Sequence, residues 1–184
     1  MIFVTVGSMF PFDRLVAAMD NWAEAGHSEE MFAQIGAGDY RPVRMRWTRM
    51  MSRPDFVSMA RKASVIVAHA GIGSILTATE IGKPIVLLPR HAATREHTSD
   101  HQLHTANWVR DRPGIFVAMA AGELGPAIAA AKAWSGPRPR ISATAPEPFL
   151  ERLRQFLDAE GARDQFANRF ILGTAKTTNT GIGR

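Results

Sequence analysis

Short apolar, β-branched runs alternate with helical periodicities over the first 134 positions. Residues 2–6 form one such run and stop at Gly7-Ser8; from 12 to 25, Leu15, Val16, Met19 and Trp22 recur at helical spacing. The pattern predicts a strand, a glycine turn and a helix. A second run, 31–35, ends at Gly36-Ala37-Gly38, where glycine lets the chain turn sharply at a sheet edge. Ser52 and Pro54 mark the cap and first turn of a helix that turns Phe56, Met59, Ala60 and Ala63 inward, and 65–68 reads as the next strand. After His69-Ala70-Gly71-Ile72-Gly73-Ser74 the pattern is helical through Glu80 and stops at Gly82-Lys83-Pro84. The run 85–89 is apolar without interruption, as in a strand covered on both faces. Residues 99–109 read as a helix, 115–118 as a strand and 123–134 as an alanine-rich helix.

Strand and helix alternate throughout, so the expected fold is α/β, a Rossmann-like open parallel sheet with helices on both faces, spanning 1–134. Pro137, Pro139, Pro146 and Pro148 make 135–148 a linker. Phe149, Leu150, Leu153, Phe156 and Leu157 then fall on one face of a predicted helix over 149–161, which Gly161 ends. That stripe is suited either to a partner or to packing back on the same chain. Residues 162–184 have no core pattern and read as a loose tail.

Composition narrows the class. A chain of 184 residues with 46% hydrophobic and 21% charged residues suits one globular domain. No apolar run reaches the length of a membrane span, and the start lacks the order of a signal peptide, so the chain reads as cytosolic. Without cysteine there is no disulfide, thiolate nucleophile or cysteine-based zinc site. The net charge of +5 and the close-set Arg41, Arg44, Arg46, Arg49 and Arg53 leave a nucleic-acid surface open, although no nucleic-acid motif accompanies them.

The glycine pair Gly71 and Gly73, between a buried strand and a helix, has two readings. The free N–H groups of a helix's first turn suit an anion such as a diphosphate; alternatively the glycines serve only tight packing. The third glycine of the dinucleotide fingerprint is replaced by Leu76, which disfavours NAD. After the next predicted strand, Arg90 is a candidate phosphate cation, while Asp100, His101 and Gln102 are candidates for hydrogen bonds to a base, ribose or sugar. Their alternative is a polar helix cap. His97, His101 and His104 have helical spacing compatible with a metal, but the glutamate of a His-Glu-x-x-His motif is missing. Glu80 either faces a ligand or ends a helix. There is no Asp-x-Asp pair and no Ser/His/Asp context, so a diphosphate would be held by backbone and basic groups, with neither metal nor cofactor.

The ordered set Phe3-Val4-Thr5-Val6-Gly7-Ser8, Phe12-Asp13, Gln34-Ile35-Gly36, His69 to Leu76, Gly82-Lys83-Pro84, Pro89-Arg90 and Asp100-His101-Gln102-Leu103 resembles the C-terminal, donor-binding half of family-28 GT-B glycosyltransferases. It is similar in particular to free-standing forms of that half, the bacterial PssE-like subunits and the eukaryotic subunit that adds the second N-acetylglucosamine to dolichol-linked sugar. The resemblance implies half of a GT-B fold that binds a UDP-sugar through Gly7, Ser8, Gly36, His69, Gly71, Gly73, Ser74, Thr77, Arg90, His101 and Gln102. Thr77 stands where relatives often carry a ribose-binding glutamate, which leaves three readings: a weaker hydrogen bond from Thr77 itself, substitution by Glu80, or a shifted donor preference. The resemblance also implies a membrane-anchored acceptor-binding subunit, docked partly through Phe149, Leu153, Phe156 and Leu157, and membrane contact only through that partner. The pair would act as an inverting transferase on a lipid-linked acceptor in exopolysaccharide or related glycan synthesis. A metal-dependent hydrolase, a basic nucleic-acid-binding protein and a non-catalytic nucleotide-binding regulator are the alternatives.

Overall fold

The computed structural model describes residues 1–27, 29–139, 141 and 145–158. They divide into two compact units, Met1–Ile141 and Ser142–Arg184. In the first unit the order is β1 (Ile2–Thr5), α1 (Asp13–Glu24), β2 (Met31–Gln34), β3 (Arg46–Thr48), α2 (Arg53–Lys62), β4 (Val65–His69), α3 (Ile72–Ile81), β5 (Ile85–Leu88), α4 (His101–Val109), β6 (Ile115–Val117), a 3-10 turn (Ala121–Glu123) and α5 (Leu124–Lys132). The described helix of the second unit is α6 (Glu147–Asp158).

All six strands are parallel, in the order β3-β2-β1-β4-β5-β6. Because successive side chains point to opposite faces, the central strands feed two cores. Ile2, Val4, Val65, Val67, Val86 and Leu88 pack with Leu15, Val16 and Met19 of α1 and Leu124, Ile128 and Ala131 of α5. On the other face, Phe3, Ile66, Ala68, Ile85 and Leu87 pack with Ala60 of α2, Ile75 and Ala78 of α3, and Ala106 and Val109 of α4. This is the expected Rossmann-like sheet, covered on both sides.

The strand β3 has no counterpart in the apolar pattern. It reaches β2 through an irregular crossover, 35–45, instead of a helix. Asp20, fully buried on α1, organises that crossover: its carboxylate accepts from the Tyr40 hydroxyl (2.9 Å) and from the backbone N–H groups of Val43 (3.1 and 3.2 Å) and Arg44 (2.8 Å). Burial opposes its ionisation, but the Arg44 and Val43 N–H groups, the Tyr40 hydroxyl and the Arg44 charge outweigh burial, and the pKa is lowered.

Helix boundaries follow local chemistry. The Ser52 hydroxyl accepts from Asp55 N (3.3 Å) and donates to Asp55 Oδ2 (2.6 Å), Pro54 lies in the first turn of α2, and Arg61 and Lys62 occupy its last turn. Gly82 closes α3 in the left-handed conformation at φ +68°.

Three expected boundaries move. The helix predicted from Ser99 begins at His101, after a run of turns. The start of the predicted linker belongs to the first unit: a β-carbon on Gly82 would lie 2.7 Å from Arg138 Cδ, one on Gly114 would lie 2.9 Å from Pro139 Cδ, and Ile141 packs on the second core. Helix α6 starts at Glu147, earlier than 149, because the Phe149 and Leu150 N–H groups bond to Pro146 O. The predicted tail, 162–184, and the end of the predicted helix, 159–161, lie outside the described residues.

Candidate functional site

The chain leaves β1 toward β2 on one side and later returns through β4 on the other, so the strand order reverses between β1 and β4. In open α/β sheets the crevice beyond the carboxyl ends of two such strands is where ligands bind. Gly7 and Ser8 follow β1, and Gly71, Gly73 and Ser74 follow β4, so the sequence-selected glycines meet at this point.

A cleft of about 260 Å³ opens here, lined by Gly7, Ser8, Gln34, Met50, Met51, Arg53, Phe56, Gly73 and Ser74. Its shape is set by a polar lattice at the strand ends. Thr5 Oγ1 donates to Gln34 Oε1 (2.6 Å) across the β1–β2 pair, Gln34 Nε2 donates to Gly7 O (3.1 Å), and Gly7 N donates to Thr5 Oγ1 (3.2 Å). Gly7 itself has φ +75°. On the opposite wall α3 begins after Gly71 with no side-chain cap and no acid in its first turn. The first N–H groups of a helix have no intrahelical partner, so this end offers donors and positive potential.

His69 stands directly behind both glycines. A β-carbon on Gly7 would lie 2.5 Å from its Cε1, and one on Gly71 would lie 2.1 Å from its Nε2. Burial, with the Arg90 charge second and His97 a lesser contributor, pushes the imidazole down to about 4 against an opposing influence of the Thr5 backbone. It is neutral at physiological pH. No hydrogen bond of normal geometry reaches the buried Nδ1, close as the Thr5 backbone is. Gly73, by contrast, has open space: apart from its own stretch of helix, a β-carbon there would meet no described atom within 4 Å.

Other sequence-selected residues serve the scaffold of the site. Arg90, expected to neutralise a phosphate, is 2% exposed and turned inward; its Nη2 donates to Val6 O (2.7 Å) and Phe10 O (2.6 Å), and its guanidinium lies over the Phe12 ring. Burial pushes its pKa down to about 10, with Glu96 opposing, so it remains charged at neutral pH. Gln102, expected near the donor, is buried too and accepts from Arg90 N (3.1 Å) through Oε1. Both hold the loops after β1 and β5. Thr77 is buried in α3 and its hydroxyl donates to Gly73 O at 2.9 Å, one turn back. Gly36 lies behind the cleft, clasped by the Arg49 backbone and side chain. Glu80 is exposed, with Gly73 and Leu76 on the same exposed strip of α3.

The histidines at 97, 101 and 104 do not share a helical face, since α4 starts at His101 and His97 lies in the preceding turns. Nδ1 of His97 accepts from Thr98 N (2.9 Å), and its ring meets those of Phe10 and His101 edge-on at 4.8 and 4.3 Å between centroids. Among the described residues no group of three His, Cys, Asp or Glu is arranged to hold a metal. The arginine series is not a free basic stripe either. Arg44 pairs with Glu24 and Arg46 with Glu30, Arg41 donates to Gly38 O and Tyr40 O, and Arg49 to Gly36 O and Gly38 O. A larger hollow of about 470 Å³ lies at the amino end of β2, lined in part by those Glu24–Arg44 and Glu30–Arg46 pairs; it is on the wrong edge of the sheet for the switch-point crevice.

Sequence reasoning did not select Gln34, Met50, Met51 and Phe56 as site residues, and named Arg53 only within a basic run. The register Thr5↔Gln34 makes Gln34 a neighbour of the Gly7 turn, and β3 carries the segment 49–53 to the same sheet edge. A signal was present in Ser52-x-x-Asp55, which places a helix start, and so a loop, immediately beside Met50 and Met51.

Together these features define an open α/β domain with a glycine-walled, one-sided cleft at its switch point. Residues 1–111 match the model of the glycosyltransferase family 28 C-terminal domain, and the chain belongs to that family. It is 32% identical over 108 residues to the UDP-N-acetylglucosamine--N-acetylmuramyl-(pentapeptide) pyrophosphoryl-undecaprenol N-acetylglucosamine transferase of Nitratidesulfovibrio vulgaris (strain DP4), a match that covers 54% of this chain and 28% of that relative. Among solved structures, the kitacinnamycin glycotransferase aligns with a TM-score of 0.55 at 17% identity, over 93% of this chain and 42% of its own. The solution structure of ALG13 aligns with a TM-score of 0.53 at 16% identity, over 83% of this chain and 93% of its own. At these identities the structural likeness concerns the fold. Among the described residues no helix is long and apolar enough to cross a membrane.

Proposed function

We propose that this chain binds the UDP-sugar donor of a two-component inverting glycosyltransferase that extends a lipid-linked acceptor in exopolysaccharide or related glycan synthesis. The observation that carries the reading is the cleft at the β1–β4 switch point, with the Gly7-Ser8 turn on one wall and the uncapped start of α3 at Gly73-Ser74 on the other. Backbone N–H groups there would hold the diphosphate and stabilise the charge that grows on it as UDP leaves the anomeric carbon. His69 fixes the separation of the two glycine turns, and Arg90 and Gln102 fix the loops around them. No metal or cofactor is invoked, and no catalytic base is assigned on this chain.

One observation supports a second component. The cleft, at about 260 Å³, is smaller than the ~300–1,000 Å³ usual for an enclosed ligand site and is open on one side. The Nitratidesulfovibrio relative, 28% of which the chain matches, carries a name that specifies a UDP-sugar donor and an undecaprenol-linked acceptor. A membrane-anchored acceptor-binding subunit would close the cleft and bring this chain to the cytoplasmic face of the membrane. The exposed Phe149, Leu153, Phe156 and Leu157 of α6 supply an apolar face for it. On α3, the exposed Glu80 rather than the inward Thr77 is available for the ribose hydroxyls.

Calorimetric titration of the purified chain with UDP, a panel of UDP-sugars and ADP, with chelator present, tests the reading. Selective UDP binding is expected. Equal affinity for ADP, or binding that depends on a metal, overturns it.

A further inference from the structure

Among the described residues lining the cleft, Arg53 is the one charged side chain. The other four arginines of the 41–53 stretch are engaged by carboxylates or backbone carbonyls, whereas no hydrogen bond or ion pair ties Arg53 to a described residue. Its backbone is nonetheless fixed. Arg53 is the first residue of α2, between the Ser52 cap, closed on Asp55, and Pro54. Arg53 is exposed on a fixed base at a cleft otherwise lined by glycine, serine, glutamine, methionine and phenylalanine, an unused cation at a site with no carboxylate among its described lining residues.

Arg90, the other candidate phosphate cation, has its Nη2 committed to Val6 O and Phe10 O and is closed off from solvent. A diphosphate held by backbone N–H groups alone would keep most of its negative charge, and a guanidinium matches phosphate oxygens in a two-pronged geometry. We infer that Arg53, reaching across the cleft toward Gly73 and Ser74, is the residue that neutralises the diphosphate of the bound nucleotide. Arg90 is then a positioning residue that shapes the β1 loop. This inference rests on the proposed nucleotide-sugar site and adds to it the side chain that distinguishes a nucleoside diphosphate from a nucleoside.

The test is a ligand ladder. Uridine, UMP and UDP are titrated into the full chain and into Arg53→Gln and Arg53→Lys variants, at two salt concentrations, with thermal melting of each protein alongside. Arg53→Gln is expected to weaken UDP by about tenfold or more, to leave uridine within about twofold, and to flatten the salt dependence of UDP binding, while Arg53→Lys recovers part of the loss. Unchanged melting is expected, because the side chain has no partner to lose among the described residues. If the wild type binds UDP and Arg53→Gln binds it equally well, the role of Arg53 is overturned and the proposed function stands. An equal loss for uridine and UDP also overturns it, by moving the contact to the nucleoside. A wild-type chain that does not bind UDP overturns both.

Discussion

The imidazole of His69 occupies the volume that a side chain on Gly7 would need, with Cε1 2.5 Å from the position of a β-carbon there. Gly71 meets the same ring from the next strand's end, at 2.1 Å from Nε2. Three residues from two separate turns therefore form one packed unit. Gly7→Ala carries two penalties, the contact and the left-handed φ of +75°, and is expected to cost more than about 2 kcal/mol. Gly71→Ala carries the contact alone. Denaturant midpoints of the two variants check the ranking, and a Gly7→Ala protein as stable as wild type contradicts it.

Gly73 is the counter-example within the same loop. With nothing within 4 Å of a β-carbon, Gly73→Val is expected to leave the melting temperature nearly unchanged. Its added methyls enter the cleft where the diphosphate would approach the helix end, so UDP affinity is expected to fall by about a hundredfold, in line with loss of two or so backbone contacts to a charged group. Calorimetry at matched salt decides; retained affinity removes this loop from the site.

The neutral His69 predicts how stability responds to acid. Its pKa is near 4 in the fold against 6.5 in the unfolded chain, so between those values the unfolded state binds the extra proton and stability falls as pH falls. At about 1.4 kcal/mol per pKa unit the loss from this group is roughly 3 kcal/mol on going from pH 7 to pH 4. The carboxylates of Asp20, Glu29 and Glu96 have lowered pKa values, so their contribution is intact at pH 7, begins to be lost as pH falls to the ordinary carboxylate values of 3.8–4.5 and goes on being lost below them. Urea denaturation at pH 7 and pH 5 is expected to expose the difference. A His69→Gln protein should lose most of this pH dependence, and an undiminished slope would assign it elsewhere.

The apolar face of α6 predicts a separable docking function. Phe156 is 62% and Leu153 43% exposed, and both belong to the second unit. Leu153→Asp combined with Phe156→Asp is expected to leave UDP affinity within about twofold while abolishing recovery of a membrane-anchored transferase subunit with the tagged chain. Recovery of that subunit with the double variant excludes α6 as the docking element.

The central strands were legible because burial on both faces leaves no polar position. In β5 all four residues are fully buried, and the sequence there is continuously apolar. The strand β3 was not legible, since Arg46-Trp47-Thr48 lies at the sheet edge, pairs only with β2 and carries mostly exposed side chains. Missing it also hid the cleft wall formed by Met50, Met51 and Arg53, which no pattern of their own would bring to a carboxyl edge. Arg90 and Gln102 illustrate a different limit. Their place after β5 follows from alternation, but whether a side chain turns out to a ligand or in to Val6 O and the Arg90 amide depends on packing across 84 and 12 positions of chain.

Arg14 on α1 forms a two-pronged pair with Glu96, Nε to Oε1 at 2.7 Å and Nη2 to Oε2 at 2.8 Å, and also reaches Pro89 O at 2.8 Å. Glu96 in turn accepts from His91 N. The helix that follows the first glycine turn is thereby bolted to the loop that follows β5, on the far side of the crevice. These two segments of the carboxyl edge are thus locked to each other as the domain folds, so the cost of holding this part of the edge in shape is met before any ligand arrives.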